Sequence, residues 1–427
     1  MAIIQAASTN PKFSYMIRKN PSNGMILRDI RKGIAYGWYS DANTYNIYFK
    51  DADNDISYKR DADEAFEYLN VSRYNTPLFP LNAINEFLSA SLKAQSDEDI
   101  AGYKHSIYIN MIHVEKLQYI HFFIKHFSDY DFELEHREDK SYALRVSTHK
   151  SLYELLHVIS VLCLFLSMFG REYIDVSDSI IEKYIKSVQV IDAPYYIRSL
   201  FARNFLNSRE RHRKYKGMLE ETQRYSLQLD YGGTATQRRN TISRMLPFNK
   251  SILDVGCGEG FYAIPYAGKV EGHYYAVDIN EELLRVVERK ASAKDLDHLI
   301  TYASIEQFVD TYNGEQVDVI LTEVIEHMSK DEAARLVQSI CHNIDFEYFI
   351  ITTPNADFNA FYEITAYRHL DHRWEMGEKE FQSWFSQVLS SEWFDYEYLA
   401  IGDKVNGIAT TQGVVIRKRG EQGGDRH

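Results

Sequence analysis

The sequence predicts an α/β chain, with a doubly wound, mostly parallel sheet towards the C-terminus and a separate α+β module before it. Three observations predict this. Strand-like and helical patterns alternate from Ser251 onward. A glycine-rich turn, Gly256-Cys257-Gly258-Glu259-Gly260, follows the first of those strands and opens a helical stretch. The first half instead mixes short alternating segments with apolar helical ones and shows no internal repeat.

Length and composition set the frame. With 427 residues, the chain has room for two or three domains with sizeable cores. A 45% hydrophobic and 26% charged composition is that of a globular chain. A formal charge of −13 repels nucleic acid over most of the surface, so a nucleic-acid partner needs a local basic patch or a metal. Cys163, Cys257 and Cys341 lack CxxC spacing, which fits a reducing cytoplasm and argues against disulfides or structural zinc. The first twenty residues carry no basic-led apolar run, so no signal peptide is expected. The most apolar stretch, Leu155 to Phe169, is too short for a bilayer and reads as a buried helix, so no membrane partner is expected.

In chain order, KNPSNG reads as a turn, and MILRDI and NTYNIYFK as strands. Lys50 to Glu64 is Asp-rich and reads as a solvated loop. Ala65 to Ala94 is helical in pattern, broken by two prolines in TPLFPLN. Ser106 to Val114 and Ala143 to Thr148 read as strands. Ser151 to Gly170 reads as a helix capped by Ser151 and stopped by Gly170, with further helices at Ser177 to Ser187 and Tyr195 to Asn207. Five scattered histidines, from His105 to His136, have no evident partners. Asn207 to Lys216 is strongly basic and is read as a solvated connector in preference to a phosphate-contacting strip. The expected organisation is an N-terminal α+β module at 1–206, a basic linker at 207–229, a cofactor-binding domain at 230–418 and a tail at 419–427.

The cofactor signal begins at SILDV, which contains Asp254. Gly256, Gly258 and Gly260 allow a ligand close to the backbone, but Phe261 replaces the third glycine of a dinucleotide fingerprint, so no pyrophosphate is demanded. A second strand, in HYYAVDIN, leads to Asp278, near where a ribose-binding acid is expected. LITYAS ends at Ser304, which either flanks an adenine or makes a plain turn. Asp254, the glycines and Asp278 together resemble the S-adenosylmethionine site of class I (Rossmann-like) methyltransferases. Strand ends in such a sheet line one crevice, which should gather Gly256, Asp278, Glu323 and Thr353.

TEVIEHM, Thr322 to Met328, adds a second signal. Glu323, Glu326 and His327 stand at helical spacing beyond the strand DVILT. Two carboxylates and an imidazole on one face suit Mg²⁺, Mn²⁺ or Fe²⁺; acids at a helix start, favoured by its dipole, are an equal reading. In TTPNADFN, Asn355 either orients a substrate or serves turn chemistry. In YRHLDHRWE, His369 or His372 would complete a two-Glu, two-His site with Asp371 orienting a histidine, or the pair is an exposed loop.

These last three segments, in this order, resemble the Hua-enhancer family of RNA 3′-terminal ribose 2′-O-methyltransferases. The resemblance covers about residues 230 to 418; FSYMIRKNP and the run from Ser151 to Leu206 look like the N-terminal half of the family's bacterial members, which accompanies RNA-repair enzymes. It implies S-adenosylmethionine and one divalent cation, Mn²⁺ or Mg²⁺, as cofactors. It implies Glu323, Glu326, His327 and His372 as metal ligands, with His327 and Glu326 catalytic. The implied substrate is an RNA 3′ end with free 2′,3′-hydroxyls, and the implied partners are a polynucleotide kinase-phosphatase or an RNA ligase. One departure stands out: the family's FEW followed by Thr-Arg is here Trp374-Glu375-Met376-Gly377-Glu378. Trp374 is still expected to stack on a base, while an arginine contact to phosphate is lost. A catechol-like small-molecule O-methyltransferase and a scaffold subunit activating a ligase or kinase-phosphatase are the alternatives.

Overall fold

A computed structural model describes residues 2–30, 33–51, 75–170, 172, 174, 177–364 and 366–419. Residues 52–74, where the sequence suggests a solvated loop and the start of a helical run, and nearly all of the tail lie outside the described residues. Contacts divide the chain into two units: Met1–Phe205 with Gly217–Arg224, and Leu206–Lys216 with Tyr225–His427.

The first unit is built on a seven-stranded antiparallel sheet. Its strands are β1 (Ala2–Ser8), β2 (Ile26–Ile30), β3 (Gly33–Asp41), β4 (Thr44–Asp51), β5 (His105–His113), β6 (Tyr130–Glu138) and β7 (Ser141–Thr148), in the order β2-β3-β4-β1-β5-β7-β6. β6 has no counterpart in the sequence reading. It is an edge strand: Tyr130, Phe132 and Leu134 alternate with acids on its first half, but the charged EHRE end is exposed.

The Leu152–Phe169 helix is the core of this unit. It is apolar on every side because it is buried on nearly every side. Among the described residues it is the one helix long and apolar enough to cross a membrane, and 78% of it is buried within the protein. Ser151 caps it, its Oγ accepting from Glu154 N at 3.1 Å while Glu154 Oε2 accepts from Ser151 N at 3.4 Å. Asp99 adds a second cap, taking the N–H groups of Leu152 and Tyr153 at 2.8 Å each. Gly170 ends the helix at φ −74°, so the left-handed freedom expected of a C-terminal glycine is not used.

The stretch expected as a linker is ordered structure. Arg209–Glu220 is a helix, and β8 (Leu227–Gln228) joins the edge of the second unit's sheet. The remaining strands of that sheet are β9 (Ile252–Val255), β10 (Tyr274–Val277), β11 (Leu299–Tyr302), β12 (Val317–Thr322), β13 (Phe346–Pro354), β14 (Phe394–Val405) and β15 (Ile408–Lys418). Their order is β11-β10-β9-β12-β13-β15-β14-β8, parallel from β11 to β13 and antiparallel beyond. Strand order reverses between β9 and β12, so a crevice opens at their carboxyl ends.

Period-two alternation sorts the two faces. Leu253, Val255, Val319, Leu321 and Ile351 pack into one core, and Ile252, Ile320, Ile350 and Val415 into the other.

Candidate active site

The glycine loop is held by its own backbone. The N–H groups of Gly256 and Cys257 both donate to Val277 O, at 2.8 and 3.0 Å, which ties the end of β9 to β10. Gly256 has φ +79°, and a Cβ there would stand 2.3 Å from Val324 Cγ2. Asp278, at the tip of β10, accepts from Gly258 N through Oδ2 and from Asn280 N through Oδ1, both at 2.8 Å. Ser304 caps the Ile305–Thr311 helix, accepting from Gln307 N at 3.2 Å. Gly256, Asp278 and Ser304 line one cavity of about 610 Å³, with Ile279, Val324 and Met328 as its apolar wall. That volume and mixed lining suit a nucleoside-sized ligand.

Asp254 does not reach this crevice. It is fully buried and faces the core that holds Ile252, where Tyr274 Oη donates to its Oδ2 at 2.8 Å. One residue of strand register decides this: Val255 lines the cavity and Asp254 points the other way. Burial pushes the Asp254 acid up to about 7, against the Tyr274 hydrogen bond that lowers it.

Beyond β12 the chain does not form the α-helix expected for TEVIEHM. Glu323 turns into the left-handed region at φ 55°, its N–H donating to Thr352 O at 2.9 Å, and only Ile325–His327 coil as a 3₁₀ turn. This tight turn, not a shared helix face, aims the side chains. Glu326 is completely buried; Thr353 Oγ1 donates to its Oε2 at 3.1 Å, and its Oε1 has no hydrogen-bond partner. Burial, with the Glu323 carboxylate next, pushes the Glu326 acid well above the ordinary range.

The HLDH segment meets this turn. One ligand atom each from Glu326, His327 and His372 lies within 4.8 Å of the others. The two imidazoles stand edge to face, 4.7 Å between centroids. Each is held at Nδ1 by a carboxylate: His327 by Asp371 Oδ2 at 3.1 Å, His372 by Glu375 Oε1 at 2.6 Å. That leaves both Nε2 atoms for a cation, the outer-carboxylate arrangement expected of metal-binding histidines. Glu375 is fixed in turn by Asn359 Nδ2 at 2.6 Å and Arg368 N at 2.7 Å. The sequence gives Glu375 no role at the site, although its three-residue spacing from His372 is a usable signal. An orphaned buried carboxylate oxygen beside two oriented imidazoles fits a divalent cation.

Glu323, the fourth expected ligand, stands beside the cluster and pairs with Arg238 Nη1 at 3.2 Å. With His327 it lines both the large cavity and a second one of about 340 Å³ that holds Glu326, His372 and Arg238. The two cavities therefore share a wall.

Both expected substrate residues do other work. Asn355 is buried and caps a 3₁₀ turn, its Oδ1 accepting from Asp357 N at 3.0 Å. Trp374 is 6% exposed in the hydrophobic core, with Nε1 donating to Met328 O at 2.8 Å, so it offers no stacking face. All three cysteines are free and buried.

A profile of the Hen1 N-terminal domain matches residues 3–224, more than half of the 427-residue chain. The chain belongs to the Hen1 family. A methyltransferase-domain profile matches residues 252–344, so the second unit is a class I methyltransferase domain joined to a Hen1 α+β domain. This Hen1-family chain is 28% identical over 201 residues to a small RNA 2′-O-methyltransferase of Rattus norvegicus, covering 43% of this chain and 49% of that one. It is 26% identical over 183 residues to the Schizosaccharomyces pombe small RNA 2′-O-methyltransferase, covering 36% and 48% respectively. It thus spans about half the length of the curated relatives it matches. Among solved structures it shares its fold with a chain of the Pnkp1/Rnl/Hen1 RNA repair complex, at a TM-score of 0.79 and 24% identity over 97% of this chain and 100% of that one.

Proposed function

We propose that this Hen1-family chain transfers a methyl group from S-adenosylmethionine to the 2′-hydroxyl of the 3′-terminal nucleotide of RNA, with a divalent cation, Mn²⁺ or Mg²⁺, in the Glu326–His327–His372 cluster. One observation carries the reading: a nucleoside-sized cavity and a metal-donor cavity share Glu323 and His327 as a common wall. A methyl donor in the first and a sugar hydroxyl in the second would then be neighbours, and proximity would supply much of the rate.

In this reading Asp278 takes the donor's ribose and the Gly256–Gly260 loop admits its backbone-facing edge. A divalent cation bound here would supply Lewis acidity that lowers the pKa of a ribose hydroxyl. Glu326 and the two imidazoles would hold it, while Asp371 and Glu375 fix the ring orientations. With Nδ1 on Asp371, His327 has Nε2 to offer, either towards a cation or as acceptor of the hydroxyl proton, with a neighbouring group taking the other part. The RNA-repair complex of the structural neighbour supports kinase-phosphatase and ligase partners for this chain, and the three free cysteines suit a reducing cytoplasm.

The test is labelled-methyl transfer to synthetic RNAs that differ only at the last ribose, with manganese, with magnesium and with chelator. A 2′,3′-diol end should be methylated only with metal, and 2′-deoxy or 3′-phosphate ends not at all. Turnover of a catechol with indifference to RNA would overturn the proposal.

A further inference from the structure

The first unit contains a cavity of about 290 Å³ that methyl transfer does not use. It is bordered by the Leu78–Phe87, Ser89–Lys93, Leu152–Phe169 and Asp178–Val190 helices. Lys93, Lys183 and Lys186 line it with His157, Ser187 and Glu86. In a chain of formal charge −13, three ammonium groups around one concavity are a local reversal of sign. The single carboxylate on the wall, Glu86, is already paired with Arg28 Nη1 at 3.2 Å.

The floor is polar where a helix core should be apolar. His157 is 1% exposed on the Leu152–Phe169 helix, with Tyr153 packed edge-on at 4.6 Å. Its Nδ1 contacts Ser187 Oγ at 2.8 Å, closer than the 3.3 Å from that hydroxyl to the Lys183 carbonyl. The shorter contact assigns the hydroxyl proton to Nδ1, which makes Nε2–H a donor. That nitrogen has no exposed surface and faces the Leu92 backbone, so the ring is part of the wall and does not itself open into the cavity. Lys186 Nζ donates to the Lys93 carbonyl, which anchors it at the rim with two further N–H groups to offer.

We propose that this cavity binds a phosphomonoester, with Lys183 and Lys186 on its oxygens. A dianion with three acceptor oxygens matches several cations better than a singly charged carboxylate does. The volume, at the small end for ligand sites, admits a mononucleotide or one phosphorylated RNA end but not a duplex. The inference does not rest on methyl transfer.

Calorimetric titration of the full chain tests it, with inorganic phosphate, AMP, and short RNAs with and without a 5′-phosphate, at constant ionic strength. Saturable binding of inorganic phosphate is expected. It should weaken roughly tenfold in the Lys183→Gln/Lys186→Gln double variant, where two charge-assisted contacts are lost, with the melting temperature unchanged. Tighter binding of AMP than of either RNA identifies a free nucleotide as the ligand, and binding of only the phosphorylated RNA identifies an RNA end. No binding of any probe up to millimolar concentration, or equal affinity in the double variant, overturns the proposal.

Discussion

Glu326→Gln separates the proposed cation from the fold that holds it. Glutamine keeps the side-chain volume and the oxygen that accepts from Thr353, and withdraws only the charge. In the metal-free protein that charge is a burden, since burial and then the Glu323 carboxylate both oppose ionisation of Glu326. The variant should therefore melt no lower than the wild type in chelator. The wild type should gain about 2.7 kcal/mol from a cation present at about a hundred times its Kd. For the second unit of about 200 residues, at roughly 2–4 °C per kcal/mol, this is a rise of about 5–11 °C. Scanning calorimetry with manganese and with chelator reads both quantities. An unchanged manganese shift in Glu326→Gln would refute the assignment of Glu326 as a ligand. A variant melting several degrees below wild type in chelator would refute the claim that its charge is costly.

Two further outcomes follow from the positions of buried groups. Asp254 has a folded-state pKa of about 7 against an ordinary value of 3.8, so between these pH values the folded state holds the proton that the unfolded state loses. Its contribution to stability is thus complete below about pH 4, falls as pH rises, and levels off above pH 7, a loss on the order of 4 kcal/mol. Asp254→Asn should erase this component, seen as a gap between variant and wild-type urea midpoints that widens from pH 4 to 7; parallel profiles would count against it. Trp374→Phe removes the hydrogen bond to Met328 O and should cost about 1 kcal/mol in the same assay, while the KM for RNA stays put. A several-fold rise in KM would restore Trp374 to the substrate site.

The C-terminal sheet was legible because each parallel strand is mostly apolar and strands alternate with helical patterns. Glu326 and His327 stand out in the sequence by residue type, whereas the choice of His372 over His369 comes from the family resemblance. What escaped was direction. Nothing in SILDV says that Asp254 points away from the crevice while Val255 lines it, since both faces of a central parallel strand are buried. The E-V-I-E-H spacing suggested an α-helix, but Glu323 takes a left-handed conformation and the turn tightens. A tryptophan beside a metal loop suggests stacking, whereas here the core claims it. The Asp371 contact that leaves His327 only its Nε2 was legible merely as one of several ways Asp371 could orient a histidine.

The Arg209–Glu220 helix begins in one unit and ends in the other, and the chain passes from unit to unit at three points. No single scissile bond therefore yields both halves intact. A fragment starting at residue 230 forfeits β8, baring the backbone of Lys404 and Val405 along a sheet edge. A fragment ending at residue 206 forfeits Leu219 and Glu221, whose carbonyls receive the guanidinium of Arg198, itself wholly buried, at 2.8 and 2.9 Å. Anyone wishing to isolate either half should expect ragged stability from the obvious cuts and should let the borrowed segment travel with its host.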